Sequence, residues 1–282
     1  MAYEINNLRK KIVLGTVQFG CQYGINSAGR PNQQAVCDIL KEAQNFDIST
    51  LDTSSAYGNA EEVLGECGTE GFRVVSKFPK GDESVKDRFS LSLQYLKKNK
   101  LYGYLLHHFD VYRENPAIWD EFQRLRDERK VEKIGFSLYL PGELELLLHN
   151  KVDFTILQIP YNLFDRKFEP YLVELHKQGV EIHVRSTFLQ GLFFKDRSTL
   201  PEKLLPMRKY LEELDEYAGT TGLSIAEIAL NYNLHNPNID GVLIGVDNKT
   251  QLQANITSIK DIQIDLDIDV KEKELLNPVN WK

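Results

Sequence analysis

The stretch LDTSSAYGNAEEVLGE (51–66) contains the structural unit from which the whole fold can be predicted. It starts at the end of a short apolar run, which closes with the ionisable residue Asp52. A small polar loop with Tyr57 and Gly58 follows, and the remaining residues have helical spacing. A strand that leads through a short loop into a helix is typical of a β/α unit. The stretch therefore predicts a repeated strand–loop–helix pattern with polar residues at the strand ends.

The same alternation of short apolar runs and longer helical segments continues along the chain. The predicted strands are residues 11–17, 49–53, 73–78, 103–109, 133–138, 154–161, 181–188 and 241–246. The predicted helices are residues 33–46, 59–67, 83–98, 117–130, 142–150, 168–179, 204–219 with 224–235, and 249–257. The strands are apolar on both faces, as in a parallel sheet covered by helices. Eight β/α units in about 250 residues predict an α/β fold, a closed (β/α)8 TIM barrel.

An open, doubly wound sheet is the alternative arrangement of such units. It is disfavoured because the first strand–helix turn, TVQFGCQYGIN (16–26), lacks a phosphate-binding G-x-G-x-x-G in register. No linker rich in Pro, Gly or Ser divides the chain, so residues 1–282 are expected to form one domain with a short N-terminal lead-in and a short C-terminal tail. The strictly alternating residues 261–270 predict one further strand, outside the barrel.

The composition limits the classes of partner and the cellular location. A net charge of −7 argues against nucleic acid and against anionic membrane surfaces as partners. No apolar run reaches the roughly 18 residues that span a bilayer, and the N-terminus lacks the apolar core of a signal peptide. Cys21, Cys37 and Cys67 are odd in number and lack metal-type spacing, which favours reduced thiols in a cytoplasmic protein.

Ionisable side chains follow three consecutive predicted strands. Asp52 ends the second strand with Tyr57 in its loop, Lys77 lies near the end of the third, and His107 and His108 end the fourth. Barrels of this kind carry their chemistry at the C-terminal strand ends. Each residue alone is more often a turn cap, a loop aromatic, a solvated charge or a structural histidine, so their coincidence at one rim is informative. Adjacent strand residues face opposite ways, so only one histidine is expected at the site.

Together these groups are suited to transferring a proton to a carbonyl oxygen. The ordinary pKa of tyrosine is about 10, and a nearby ammonium from Lys77 is expected to lower the pKa of Tyr57. Asp52 would hold the lysine in place, and a histidine would orient the substrate carbonyl. Reduction by hydride requires such an acid, because the alkoxide must be protonated as it forms, and the hydride must come from a cofactor.

The chain resembles the aldo-keto reductase family. The central regions of similarity are DTSSAYGNAEEVLGE (52–66), VVSKF (74–78) and YLLHHF (104–109). Five further regions match in order: LGTVQFG (14–20), IGFS (134–137), LQIPYNLFDR (157–166), VRSTFLQGLF (184–193) and LIGVDNKTQLQANI (243–256). Each motif is weakly specific alone, but their order covers nearly the whole chain. The resemblance implies an NAD(P)H-dependent oxidoreductase that reduces a small-molecule aldehyde or ketone.

The resemblance also implies a role for each matching position. Tyr57 matches the general acid, Lys77 and Asp52 match the partners that tune its pKa, and His107 matches the substrate-orienting histidine. The positions that match cofactor contacts are Gly15, Thr16, Val17, Asp52, Ser137, Gln158 and Arg185 near the nicotinamide, Ser186, Phe188 and Gly191 beside the pyrophosphate, and Gly245, Gln251 and Asn255 around the adenosine. No metal is implied.

Three departures from the family pattern concern the cofactor. Leu138 replaces the usual Asn after the serine, so one carboxamide bond is lost or replaced. Arg185 stands where many members place an aromatic ring that stacks on the nicotinamide, and its charge would repel the oxidised ring. Asp247 suits a ribose 2′-hydroxyl better than a phosphate, whereas Lys249 or Arg197 would supply positive charge. NADP(H) is favoured on family grounds, with NAD(H) as the alternative.

The short ends of the chain bear on the substrate. A short N-terminal lead-in and a short tail predict a pocket that is open or completed by a neighbouring subunit. Such a pocket suits a sugar-like or other polar carbonyl compound better than a steroid. The sequence does not predict the oligomeric state.

Two other functions are compatible with parts of the pattern. The stretch GVDNKTQLQAN (245–255) also resembles potassium-channel β-subunits, which are cofactor-sensing binding or regulatory proteins with slow chemistry. A metal-dependent barrel hydrolase using Asp52, His107 and His183 is disfavoured, because no strand offers the H-x-H spacing that places two ligands on one face.

Overall fold

The computed structural model is a closed barrel of parallel strands surrounded by helices. It describes residues 2–26, 29–81 and 84–281. The strands are β1 (Ile12–Gly15), β2 (Thr50–Asp52), β3 (Arg73–Phe78), β4 (Leu101–Leu106), β5 (Val131–Ser137), β6 (Ile156–Pro160), β7 (Glu181–Arg185) and β8 (Gly241–Gly245). Each strand pairs with the next one in the sequence, and β8 pairs with β1 to close the ring. This topology confirms the predicted (β/α)8 barrel.

Helices cover the outside of the barrel. Those in the described ranges are α1 (Ala2–Lys10), α2 (Val17–Gly20), α3 (Gln33–Asn45), α4 (Ala60–Cys67), α5 (Val85–Leu96), α6 (Phe109–Glu114), α7 (Ile118–Asp127), α8 (Pro141–His149), α9 (Glu169–Lys177), α10 (Arg208–Thr221), α11 (Ile225–Leu234) and α12 (Lys249–Thr257). Short 3₁₀ segments occupy 189–194, 197–199, 202–207, 273–276 and 278–281. Glu83, the first residue of the predicted helix 83–98, lies outside the described residues. No helix in the described ranges combines the length and apolar character needed to span a bilayer.

Helix α3 shows how the sequence fixes both the start and the orientation of a helix. The Asn32 side chain accepts a hydrogen bond from the backbone N–H of Ala35, which satisfies one of the unpaired donors of the first turn. Val36, Ile39 and Leu40 recur at helical spacing and are buried. The helix is therefore held against the barrel by its apolar side, with its polar side facing solvent.

The inner faces of the strands form a polar end, an apolar middle and a second polar end. Successive side chains of a strand point to opposite faces, so alternate residues of β3 share the barrel interior. Arg73 lies at its amino end, Val75 in the middle and Lys77 near its carboxyl end. Val75 packs with Leu105 and Ile156 in a small apolar cluster. This middle layer separates the polar groups at the two ends of the barrel.

The prediction of an extra strand at 261–270 is wrong. These residues have no strand pairing, and the closed barrel offers no free edge to which they could add. The segment crosses a second apolar cluster, in which Ile264, Ile268 and Val270 pack with residues of α10 and α11. The two-residue period of the sequence therefore reflects an extended chain that is buried on one side only.

The prediction of three reduced thiols is wrong for two of the cysteines. Cys37 of α3 and Cys67 of α4 form a disulfide across 30 residues of sequence, and Cys21 is free. The sequence spacing gave no sign of this pair, because the packing of α3 against α4 is what brings the two thiols together.

Candidate active site

A pocket of about 510 Å³ opens at the carboxyl ends of the strands. Most of the sequence-predicted site residues line it: Gly15, Thr16, Val17, Asp52, Tyr57, Gln158, Arg185, Ser186, Phe188, Gly191, Gly245, Gln251 and Asn255. The other three predicted residues adjoin the pocket. Lys77 and His107 contact the side chains of its floor, and Ser137 pairs with Gln158 in the barrel register. The structure thus brings the predicted residues to one place, and their roles stay predictions.

A buried ion pair lies at the floor of the pocket. The Lys77 Nζ donates to Asp52 Oδ1 at 2.6 Å and to the backbone oxygen of Thr53 at 2.8 Å, and the lysine side chain is fully buried. Burial lowers the pKa of Lys77, and the charge of Asp52 opposes this shift. The second oxygen of Asp52 accepts a hydrogen bond of 2.7 Å from Gln158 Nε2. Both oxygens of Asp52 are therefore used to hold neighbouring side chains.

The Tyr57 hydroxyl lies 3.4 Å from the Lys77 ammonium. Burial raises the pKa of Tyr57, the nearby Asp52 raises it further, and Arg185 acts in the opposite direction. This finding corrects the expectation that Lys77 lowers the pKa of Tyr57. The charge of Lys77 is largely compensated by Asp52, and burial penalises a phenolate. Tyr57 is consequently a protonated phenol at neutral pH.

Two glycines hold the Tyr57 loop against the end of β1. A Cβ atom at Gly20 would lie only 1.6 Å from the backbone oxygen of Tyr57, so no other residue fits there without moving the loop. Gly58 has a φ of +57°, and a Cβ atom there would lie 2.5 Å from the backbone oxygen of Gly20. The Tyr-Gly pair of the sequence thus sets both the turn and the position of the phenol.

His107 is buried beside the Tyr57 ring, with ring centroids 5.6 Å apart. Its Nδ1 lies 3.0 Å from Ser54 Oγ, and burial, with the charge of Lys77 next, lowers the pKa of His107 well below 6.5. The imidazole is therefore neutral near pH 7. The neighbouring His108 ring lies 4.8 Å away and is exposed. Since β4 ends at Leu106, the strand alternation expected for the two histidines does not apply.

A loop–loop contact closes one side of the pocket and was missed in the sequence. The backbone N–H of Ile25 donates to the oxygen of Gln190 at 3.0 Å, and Asn26 Nδ2 donates to that of Gly191 at 2.7 Å. Ser186 and Gln190 take positive φ values of 65° and 51°, which a contact-free loop would rarely adopt. Pocket residues that the sequence did not indicate include Gln18, Tyr23, Gly24, Asn26, Gln190 and Phe194. Only Gln18 lies within a motif that the sequence offers, LGTVQFG (14–20). The other five residues are brought to the pocket by the packing of these loops.

Several polar atoms along the pocket lack a protein partner. Gln18 Oε1, Arg185 Nε and Asp247 Oδ1 are buried without a hydrogen bond. Gln18 itself lies over Gly245, where a Cβ would come within 2.3 Å of its side chain. Buried polar atoms normally form hydrogen bonds, so these three atoms mark positions at which a bound polar molecule would supply the missing partner. The Gln18 and Asp247 atoms, next to Gly245 and Gln251, fit a bound dinucleotide.

The far end of the pocket carries an acidic rather than a basic group. The backbone N–H of Asp247 donates to Gln251 Oε1 at 2.8 Å, and Gln251 Nε2 lies 3.4 Å from Asp247 Oδ2. Arg197, which the sequence offered as a source of positive charge, instead binds both carboxylate oxygens of Asp215 at 2.9 and 2.7 Å. It does not line the pocket.

The geometry does not assemble the metal site considered from the sequence. His183, in the middle of β7, lies with its Nε2 2.7 Å from Oε1 of Glu181 at the amino end of the strand, whereas Asp52 and His107 lie at the carboxyl ends of β2 and β4. Within residues 2–26, 29–81 and 84–281, no three His, Cys, Asp or Glu side chains are grouped in a way that would hold a metal ion.

Comparison with known proteins identifies a family match along most of the chain. Residues 11–269 match the model of the Aldo/keto reductase family. The chain is 24% identical over 275 residues to an uncharacterized oxidoreductase, YqkF, of Bacillus subtilis, with 86% of each chain covered. It is also 24% identical over 253 residues to L-galactose dehydrogenase of Arabidopsis thaliana, covering 79% of this chain and 77% of the relative.

Solved structures of similar fold include two bacterial enzymes. The aldo-keto reductase AKR11C1 from Bacillus halodurans superposes with a TM-score of 0.71 at 20% identity, covering 94% of this chain and 90% of that one. An aldo/keto reductase from Klebsiella pneumoniae, solved with NADP and acetate, superposes with a TM-score of 0.69 at 19% identity, covering 95% and 90%. At these identities the superpositions show the shared fold.

Proposed function

The chain belongs to the aldo/keto reductase family, and on that premise we propose that it reduces an aldehyde or ketone with Tyr57 as the proton donor. Family membership makes the protein an NAD(P)H-dependent oxidoreductase of small carbonyl compounds. The finer proposal depends on one observation. The Tyr57 hydroxyl lies 3.4 Å from an ammonium that is itself fixed by a buried carboxylate, at the floor of the large pocket.

Tyr57 and Lys77 have different roles in the proposed proton transfer. The raised pKa of Tyr57 keeps the proton on the phenol until a stronger base appears. The oxygen of a carbonyl becomes such a base as it gains negative charge during reduction. The Lys77 ammonium then stabilises the phenolate that remains, and Asp52 keeps the lysine aligned. Lys77 therefore stabilises the negative charge that forms on Tyr57 in the transition state, and it does not lower the pKa of Tyr57 in the resting protein.

His107 is proposed to orient the substrate carbonyl as a neutral hydrogen-bond donor. Ser54 Oγ lies 3.0 Å from Nδ1 and 3.3 Å from the backbone oxygen of Lys77, either of which can accept its single hydrogen. When that hydrogen goes to Nδ1, the tautomer with a proton on Nε2 is selected, and that proton is free for a substrate oxygen. A neutral donor is suited to this position because it binds the carbonyl without competing with Tyr57 as an acid.

The proposed cofactor is NADP(H), with NAD(H) as the alternative. When bound, it supplies the hydride. Gln158, Ser137 and the β1 backbone are proposed to hold the nicotinamide end, and Gly245, Gln251 and Asn255 the adenosine end. Relatives favour NADP(H), since the Klebsiella pneumoniae enzyme was solved with NADP. The free Asp247 oxygen favours a ribose 2′-hydroxyl, so the dissociation constants of NADPH and NADH need to be measured side by side.

The substrate is proposed to be a polar, sugar-like carbonyl compound. The pocket wall includes the polar side chains of Asn26, Gln190 and Arg185 together with Tyr23. A screen of aldehydes matched in size but differing in polarity tests this point. We expect polar aldehydes to have the higher kcat/KM, and a clear preference for apolar ketones would contradict the proposal.

Steady-state oxidation of NADPH in the presence of these aldehydes tests the reaction itself. The proposal predicts catalytic turnover that depends on both the aldehyde and the cofactor. Tight cofactor binding with only trace turnover would instead favour the alternative of a cofactor-sensing regulatory protein.

A further inference from the structure

Arg185 is a cation at the pocket wall that has no acidic partner within the described part of the chain. One of its terminal nitrogens donates to the backbone oxygen of Leu138 at 3.1 Å, and its guanidinium stacks 4.1 Å from the centre of the Tyr139 ring. The Nε atom is buried without a hydrogen bond. Among the residues that the structure describes, no carboxylate forms an ion pair with Arg185. By contrast, Arg197 in the following loop is neutralised by both oxygens of Asp215.

The charge of Arg185 acts directly on the groups that surround the reacting carbonyl. Burial is the main cause of the raised pKa of Tyr57 and the lowered pKa of His107, and Arg185 opposes the first and reinforces the second. The guanidinium and Tyr57 line the same pocket, and the His107 ring contacts the Tyr57 ring.

We infer that Arg185 binds an anionic group of the substrate, a carboxylate or a phosphate, while the carbonyl lies against Tyr57 and His107. This inference rests on the proposed carbonyl reduction. Arginine has five N–H donors, and the contact with Leu138 uses one, so several remain for a ligand. The Tyr139 ring packs 4.1 Å from the guanidinium and limits its movement, which preorganises the planar fork that matches two oxygens of an anion.

Matched pairs of anionic and neutral aldehydes test the inference. We suggest the three positional isomers of carboxybenzaldehyde against their methyl esters, and glyceraldehyde 3-phosphate against glyceraldehyde. The variants are Arg185→Met, Arg185→Lys and, as a control for the loss of one positive charge, Arg126→Met. Arg126 pairs with Asp153 and does not line the pocket. The quantity compared is the ratio of kcat/KM for the anionic and the neutral member of each pair.

In the parent protein we expect the anionic member to be preferred in at least one pair. Arg185→Met should lower that ratio roughly 10- to 100-fold, the size expected for a charge-assisted hydrogen-bonded pair. Arg185→Lys should restore part of it, and Arg126→Met should leave it unchanged. The pair that shows the effect distinguishes a carboxylate from a phosphate. An equal ratio in the parent and in Arg185→Met would overturn the inference.

A binding measurement separates this inference from the proposed function. Calorimetric titration with the carboxybenzyl alcohols and their methyl esters, made on NADP⁺-saturated protein in a Tyr57→Phe background, measures binding without oxidation of the alcohol. Tighter binding of the anionic alcohols, lost in Arg185→Met, supports the anion site even if no aldehyde is reduced. If Arg185→Met instead weakens NADPH binding and affects both members of every pair equally, Arg185 is a cofactor contact and the inference is wrong.

Discussion

Strand β7 carries a charged group at each end, and the two ends differ in how their charges are satisfied. Glu181 at the amino end accepts hydrogen bonds from Tyr102 at 2.5 Å and His183 at 2.7 Å, and pairs with Lys133 at 2.6 Å. Arg185, four residues later on the same face, has one hydrogen bond to a backbone oxygen and no carboxylate partner among the described residues. One strand thus links a carboxylate with several partners to an arginine without a carboxylate partner among the described residues.

The difference indicates which end of the barrel is built for stability and which for chemistry. Burial raises the pKa of Glu181, but its hydrogen bonds to His183, Lys133 and Tyr102 outweigh this and lower the pKa to about 2. Such a cluster stabilises a fixed arrangement and leaves the carboxylate no capacity for a ligand. The carboxyl end instead holds a pocket of about 510 Å³, with a buried lysine–carboxylate pair at its floor and an arginine without a carboxylate partner among the described residues, features typical of sites that bind or react.

The largest expected difference between the ends comes from removing one phenol at each. Tyr57→Phe should lower kcat for aldehyde reduction by about 10²- to 10⁴-fold, because a positioned acid is lost. Tyr102→Phe removes only the hydrogen bond to Glu181 and should retain kcat while lowering the melting temperature. Steady-state kinetics and thermal unfolding of both variants test this difference between the two ends. A comparable loss of kcat in Tyr102→Phe would contradict it.

A matched pair of lysine substitutions sharpens the comparison. Lys77→Met and Lys133→Met each remove the cationic partner of an acid, and breaking a buried pair of this kind costs about 3–5 kcal/mol of stability. Lys133 is partly exposed, so its loss should cost less. Only Lys77→Met should also reduce kcat, by on the order of 10²-fold. Chemical denaturation and kinetics test this, and equal effects on kcat would argue against distinct roles.

The stability of the barrel at acid pH tests the contribution of the Glu181 cluster at the amino end of β7. Glu181 has a folded pKa of about 2 against an ordinary value of 4.5, so its contribution is present above pH 4.5 and is lost as the pH falls towards 2. Glu181→Gln should therefore lose roughly 3 kcal/mol at neutral pH and show a weaker pH dependence below pH 4.5. Denaturation curves across this range give the result, and parallel curves for parent and variant would contradict it.

The smallest effect is expected in the pH profile of reduction. Burial and the charge of Lys77 lower the pKa of His107 well below 6.5, so the imidazole does not change charge near neutral pH. We expect kcat/KM to be flat between about pH 6 and 8. An inflection in this range that His107→Gln abolishes would show that His107 titrates during catalysis.

The barrel could be predicted because each β/α unit is encoded locally, by apolar runs and helical periods. The segment 261–270 was misassigned because its alternation is shared by strands and by extended chains buried on one side. The disulfide between Cys37 and Cys67 was missed because it depends on how two helices pack. Helix α1 was missed as well, since its mostly polar sequence has little apolar periodicity.

The candidate site was predictable where residues sit at strand ends and unpredictable where loops meet. Asp52, Lys77 and Tyr57 follow from the barrel topology, which places successive strand ends side by side. The contact of Asn26 with Gly191 depends on loop conformations with positive φ, which the sequence does not reveal. The direction of the Tyr57 pKa also required the structure, because burial outweighs the nearby cation.

The proton-donor role of Tyr57 is tested most directly by a single-turnover measurement. Tyr57→Phe, saturated with NADPH and checked for cofactor binding by fluorescence, is mixed with excess aldehyde, and NADPH consumption is followed in time. We predict unchanged cofactor affinity and a hydride-transfer rate lowered by at least about 10²-fold relative to the parent. NADPH consumption at the parent rate would contradict the assignment of Tyr57 as the acid.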